Sequence, residues 1–158
     1  MTYEPTAVYL IFNTWSVSNY KVGKTRNIPR RIAEIEEQYG VDARLITSCW
    51  FPTKKAAEAA EKIWHKILSQ FFTDDHSGKE WFSLPSSQIE LFRQWASLSL
   101  PKPQLVKWIF GKAPTTDEVR LFQDNLFKAL PKRPNQPSVD VWTNPHYLLN
   151  SNVLQPLQ

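Results

Sequence analysis

Ala7-Val8-Tyr9-Leu10-Ile11-Phe12, a polar interval, then Tyr20-Lys21-Val22-Gly23-Lys24: these two runs decide the fold. The first is nearly unbroken apolar sequence, as expected of a central strand covered on both faces. Asn13 to Asn19 is polar and reads as the loop of a hairpin. The second run is the returning strand. Gly23 inside it marks a bend or a close approach of another group to the backbone.

Outward from this hairpin the periodicity changes. Asn27 is placed to cap a helix, with Pro29 in the first turn. That helix runs from Ile28 to about Tyr39, with Ile32, Ile35 and Tyr39 on one face, and Gly40 stops it. Ala43 to Phe51 reads as a third strand. Thr53 caps a long helix from Lys54 to about Phe71, with Ala56, Ala60, Ile63, Trp64, Ile67 and Phe71 on its apolar face. A polar loop, Thr73 to Lys79, leads to a short edge strand at Glu80-Trp81-Phe82. Ser87 and Glu90 form a capping box for a helix from Gln88 to about Leu98. Pro101-Lys102-Pro103 reads as a linker. Thr116, Asp117 and Glu118 open a last helix with Val119, Phe122, Leu126 and Leu130 as its apolar stripe, ended by Pro131. Pro134 and Pro137 continue as extended chain, and the tail carries Trp142, Tyr147, Leu148 and Leu149.

A hairpin plus a third strand, with helices packed on them, is an α/β arrangement and not a doubly wound sheet. The expected fold is therefore a small three-stranded, mostly antiparallel sheet flanked by helices. Residues 1–98 form this domain and residues 99–158 a helical or irregular C-terminal extension.

Composition bounds the function. The chain has 158 residues, 42% of them apolar, with seven Trp and nine Phe, enough for a packed core. One cysteine, Cys49, allows neither an intramolecular disulfide nor a thiolate metal cluster. No apolar run reaches the roughly 18 residues of a membrane span, and the N-terminus lacks a signal-peptide pattern. The expectation is a cytoplasmic protein with no membrane contact. The net charge of +4 permits a polyanionic partner without requiring one. It is unevenly placed: Lys21, Lys24, Arg26, Arg30 and Arg31 crowd residues 20–31 with no acid among them. From Ser99 onward seven Lys or Arg stand against four Asp or Glu.

The order and spacing of several pieces resemble the GIY-YIG nuclease family. Ala7-Val8-Tyr9 stands where Gly-Ile-Tyr would be, and Lys21-Val22-Gly23, preceded by Tyr20, where Tyr-Ile-Gly would be. Lys24-Thr25-Arg26-Asn27-Ile28-Pro29-Arg30-Arg31 is similar to the family's helix entry. Glu61-Lys62-Ile63-Trp64-His65 looks like its Glu-x-x-x-His helix, and Gly78-Lys79-Glu80-Trp81-Phe82 like its closing strand. Lysine in place of the second tyrosine resembles the T5orf172-like branch, found in phage and restriction-type proteins. The resemblance covers about 85 residues. Ala7 and Lys21 depart from the motif, and the family's late asparagine has no counterpart.

The resemblance implies a metal-dependent endonuclease acting on DNA phosphodiesters, and the residue chemistry is consistent with it. Tyr9 would orient or deprotonate the attacking water. A free phenol titrates near ~10, so it needs a neighbouring cation, and Lys21 across the hairpin offers one. Arg31 carries a planar fork matched to phosphate oxygens. Glu61, with Glu80 as an alternative, is a hard oxygen ligand for one Mg²⁺ or Mn²⁺. His65, one turn beyond Glu61, shares its side of the helix and offers a proton or a hydrogen bond to phosphate. Lys24, Arg26 and Arg30 would track the DNA backbone. The enzyme reading further predicts that Tyr9, Lys21, Arg31 and Glu61 converge on one exposed concave surface.

Plainer readings stand beside each of these. Tyr9 alone in an apolar strand is more often a core residue. Glu61 can be a surface acid paired with Lys62 or His65, and Glu58, one turn earlier, competes for its role. Glu80 can be an edge-strand charge. His76 and His146 lack metal-ligand spacing. Trp81, Trp95, Trp108 and Trp142 are packing residues before they are base-stacking platforms. The alternative function is a non-catalytic module of the same fold that binds nucleic acid or a protein partner, such as a phage or host-defence factor. Residues 99–158 leave a homodimer or a protein partner open.

Overall fold

The computed structural model describes residues 2–16, 18–73 and 81–132. Its elements run β1 (Thr6–Asn13), β2 (Asn19–Thr25), α1 (Ile28–Tyr39), β3 (Ala43–Phe51), α2 (Lys54–Ile67), a 3-10 turn (Ser69–Phe71), β4 (Trp81–Ser83), α3 (Ser86–Ala96), α4 (Lys102–Val106), a π-helical turn (Lys107–Gly111) and α5 (Thr116–Lys128). The strands form one antiparallel sheet in the order β3-β1-β2-β4.

The sheet has four strands, one more than the three expected. Trp81–Ser83 pairs with Asn19–Lys21 and so joins the sheet at the outer side of β2. The short edge strand expected at Glu80-Trp81-Phe82 enters the same sheet because Trp81 and Phe82 are each buried by a different helical layer. β1 is central, and Ala7 through Ile11 are completely buried. Strand side chains alternate, so β1 feeds two layers. Val8 and Leu10 face Val22, Cys49 and Phe51 together with Ala57, Ala60 and Trp64 of α2 and Phe92 and Trp95 of α3. Tyr9 and Ile11 face Ile35 of α1, with Val41, Ala43 and Trp81.

Local signals account for most boundaries. The Asn27 side chain accepts from Arg30 N–H at 3.1 Å, and Pro29 lies in the first turn of α1. Gly40, at φ 63° and ψ 42°, ends α1 in the left-handed region and donates to the Glu36 carbonyl. Thr53 caps α2 through Ala56 N–H at 3.3 Å. α2 stops at Ile67, short of the expected Phe71, and the chain tightens into the 3-10 turn.

Two expectations change after residue 84. α3 begins at Ser86 behind Pro85, with no side-chain cap, and Ser87 lies inside its first turn. The Pro85 carbonyl accepts from Gln88 N–H at 3.0 Å, so a ring already held near helical φ replaces the expected Ser87–Glu90 box. Pro101-Lys102-Pro103 starts α4 and is no linker, because proline is tolerated in a first turn whose N–H groups have no intrahelical partner. α5 does have a reciprocal box: Thr115 Oγ1 accepts from Glu118 N–H at 3.1 Å, and Glu118 Oε1 accepts from Thr115 N–H at 2.8 Å.

Residues 99–132 lie on both faces of the sheet. Leu105 and Ile109 pack on Ala7 and Trp50, the face that carries α1. Leu126 and Leu130 join the core of α2 and α3, where Trp95 Nε1 donates to the Leu126 carbonyl at 2.8 Å. Glu80, His76, His146, Trp142, Pro134, Pro137 and the Tyr147–Leu149 segment lie outside the described residues.

Candidate nucleic-acid interface at the outer edge of β2

Tyr9 stands directly opposite Gly23 in the β1–β2 ladder. Its ring lies across that glycine: a Cβ on Gly23 would stand 2.6 Å from Tyr9 Cζ and closer still to the hydroxyl. The missing side chain is what lets the phenol cross β2. Arg31 reaches the same hydroxyl from α1, donating from Nε at 3.2 Å. Its other arm, Nη1, meets Glu34 Oε1 at 3.3 Å. Asn27 and Pro29 set the start of α1, which places Arg31 in its first turns above β2. Tyr9 is fully buried while the Arg31 side chain is 26% exposed, so the guanidinium covers the phenol.

Lys21 shares the face of Tyr9, two residues along β2 from Gly23. It is 1% exposed. Its ammonium lies 5.5 Å from the Tyr39 ring centre and 5.7 Å from that of Trp81, within cation–π range. By sequence Tyr39 belongs to the α1 apolar face and Trp81 is a packing residue. Their second role as walls around Lys21 depends on β4 pairing with Lys21, which no local spacing announces.

Glu61 and His65 come from α2, on the other face. Glu61 is buried on the core side of α2. Its Oε1 lies 3.4 Å from Lys24 Nζ, and Glu58 Oε2 lies 3.8 Å from the same ammonium. His65 Nε2 donates to the Val22 carbonyl at 2.8 Å and lies 4.0 Å from Glu61 Oε2. Among the described residues no strand pairs with β2 beyond Lys21 on that side, so the Val22 carbonyl is open to the imidazole.

The expected single concave surface is therefore not what the chain builds. Tyr9, Lys21 and Arg31 lie on the α1 face, and Glu61, His65 and Lys24 on the α2 face. The two sets meet at one peptide, Val22–Gly23: the phenol lies over Gly23, and the imidazole holds the carbonyl of Val22. Arg30 is exposed and 4.0 Å from Glu34, and Arg26 is exposed and 3.2 Å from Glu4. Neither touches Tyr9. Both instead line a separate open pocket with Lys102. Burial pushes the Cys49 thiol well above its ordinary range, against the opposing effect of its hydrogen bond with Ser99. Among the described residues no three carboxylate, His or Cys side chains gather as a metal cage, and no helix is long and apolar enough to cross a membrane.

The model of the T5orf172 domain family matches residues 6–97. This chain belongs to the T5orf172 domain family. The matched segment runs from the first residue of β1 to one residue beyond α3, so it takes in both halves of the β2-edge arrangement. T5orf172 domains are GIY-YIG-like and nuclease-associated. Comparison with curated proteins and with solved structures gives no match.

Proposed function

We propose that this T5orf172 domain is an endonuclease that hydrolyses DNA phosphodiester bonds at the outer edge of β2. The observation that carries the reading is the Arg31–Tyr9 contact over Gly23. A phosphate that engages the Arg31 fork draws the guanidinium from the phenol and uncovers the hydroxyl. Water then attacks phosphorus as the bond to the leaving oxygen breaks; the Tyr9 oxygen takes a proton from the water while its own hydroxyl proton passes to a phosphate oxygen, so Tyr9 ends as the phenol it began as. Arg31 faces the charge that grows on the non-bridging oxygens. Lys21 places positive charge on the same face, and His65 would release the Val22 carbonyl to give its Nε2–H to phosphate at the edge.

Glu61 would hold one divalent cation, Mg²⁺ or Mn²⁺. The carboxylates of Glu58 and Glu61 suit it chemically, since Mg²⁺ is commonly held by one or two carboxylates with waters and phosphate. They lie across the sheet from Tyr9 and share the Lys24 ammonium, which the ion would displace, so the phosphate would have to bridge the two faces around the outer edge of β2. When bound, such an ion supplies Lewis-acid stabilisation of the leaving oxygen. Glu80 remains the alternative ligand. The cell compartment fitting this reading is the cytoplasm, in a phage or host-defence setting. Residues 99–158 would serve substrate choice, dimerisation or a protein partner.

One observation favours a second reading. Tyr9 and Lys21 are buried, and Lys24 already balances Glu61. A binding module that keeps the fold without hydrolysis would look the same. Cleavage of supercoiled plasmid with Mg²⁺ or Mn²⁺, against EDTA and the Arg31→Ala, Glu61→Ala and Tyr9→Phe variants, separates the two. Metal-dependent nicking lost in all three variants supports the nuclease. Salt-sensitive DNA binding by clean wild-type protein that never cleaves supports the module.

A further inference from the structure

We propose that the pocket between the start of α1 and the α4–π-turn segment seats an unpaired nucleotide of the DNA strand. The inference rests on the reading that this domain engages DNA, and not on hydrolysis. The pocket measures ≈ 440 Å³, the scale of a small-ligand site. Arg26, Arg30 and Lys102 line it, against a single acid, Glu4. Glu4 pairs with Arg26 at 3.2 Å, which leaves the lining net positive. Lys102 is anchored there: its ammonium donates to the Arg26 carbonyl at 3.0 Å and lies 5.0 Å from the Trp50 ring centre. These cations offer the electrostatics of a phosphate seat.

Phe110 supplies the rest. It lines the same pocket and is 61% exposed. The π-helical turn accounts for its position, because Ile109 is driven into the core with Leu105, Ala7 and Trp50 while its neighbour turns outward. An aromatic ring held in water beside three cations is the pairing of groups that binds a nucleotide: stacking for the base, charge for the phosphate. Stacking needs the face of a base. Paired bases inside a duplex hide both faces, so the occupant is an unpaired nucleotide at a tail, gap or branch. The pocket lies on the α1 face, and Arg30 is the chain neighbour of Arg31. A strand seated here therefore leads towards the Tyr9–Arg31 contact.

The test is fluorescence anisotropy with the full chain in EDTA, where no cleavage occurs. Labelled blunt duplex is compared with the same duplex carrying a short single-stranded tail. The wild type is expected to bind the tailed duplex about 10-fold more tightly. Phe110→Ala abolishes that preference and leaves blunt-duplex binding unchanged. Phe110→Trp restores it. Arg30→Ala weakens the tailed complex and lowers its salt slope by about one counterion. A wild type without tail preference overturns the proposal. So does preference retained in Phe110→Ala, or lost equally in the Ala and Trp variants at unchanged melting midpoint. Tail binding through Phe110 by a protein that never cleaves would remove the hydrolase reading alone. Cleavage without tail preference would remove this proposal alone.

Discussion

At the scale of the residue, Gly23 controls the site. The Tyr9 ring occupies the space a Cβ would need, so Gly23→Ala must push the phenol out from under Arg31. The expected cost is ~1–3 kcal/mol, measured by urea unfolding. Tyr9→Phe in the same background removes the nearest clashing atom and should return part of that loss; a strictly additive double mutant would contradict the contact. Cys49 makes a second prediction at this scale. Its folded thiol holds its proton more tightly than an unfolded one, so its stabilising effect is complete below the unfolded pKa of about 8.5. It is lost progressively as pH rises above that value. Unfolding free energy should fall above pH ~9 with a slope of up to ~1.4 kcal/mol per pH unit from this group. Cys49→Ala should remove that slope; an unchanged slope would assign it to other groups.

At the scale of the element, caps and layers decide how the helices sit. The reciprocal Thr115–Glu118 box fixes the start of α5. Thr115→Ala should cost ~1 kcal/mol in chemical denaturation, and no change would mean that packing alone sets this end. The apolar stripes of α1, α2 and α5 were legible because their spacing of three and four is local. Leu126 is buried as that spacing requires, and Val119 is completely so. The start of α3 was misread because two signals overlapped. A proline and a Ser–Glu pair lay within residues 85–90, and the proline carbonyl took the first hydrogen bond. α4 was missed for a related reason, since paired prolines mark a helix start as readily as a linker.

At the scale of the whole molecule, residues 99–132 complete the core. Ala7 and Trp50 lie beneath Leu105 and Ile109, while Phe51 and Trp95 meet the α5 end of the main cluster. A chain ending after residue 98 should expose these surfaces and show a lower, broader thermal transition with dye-detectable apolar surface. A shortened chain melting at the full-length midpoint would show that the extension contributes no stability. Leu105→Ala in the full chain isolates one contact and should cost ~2–5 kcal/mol.

The sequence by itself determined the α/β class, the central hairpin with Gly23 as a bend or point of close approach in its second strand, and the helix that carries Arg31 directly after it. These follow from runs, spacings of two and of three to four, and caps, all of which act within a few residues. Only the tertiary structure decided the rest. It brought β4 onto β2, closed Tyr39 and Trp81 around Lys21, gave Glu61 to Lys24, and divided the expected site between two faces of the sheet. It also set Lys102 and Phe110 beside Arg26 and Arg30. These neighbours come from segments far apart in the chain. Their meeting depends on which layer each element buries itself in, and burial is a property of the assembled core and not of any short stretch.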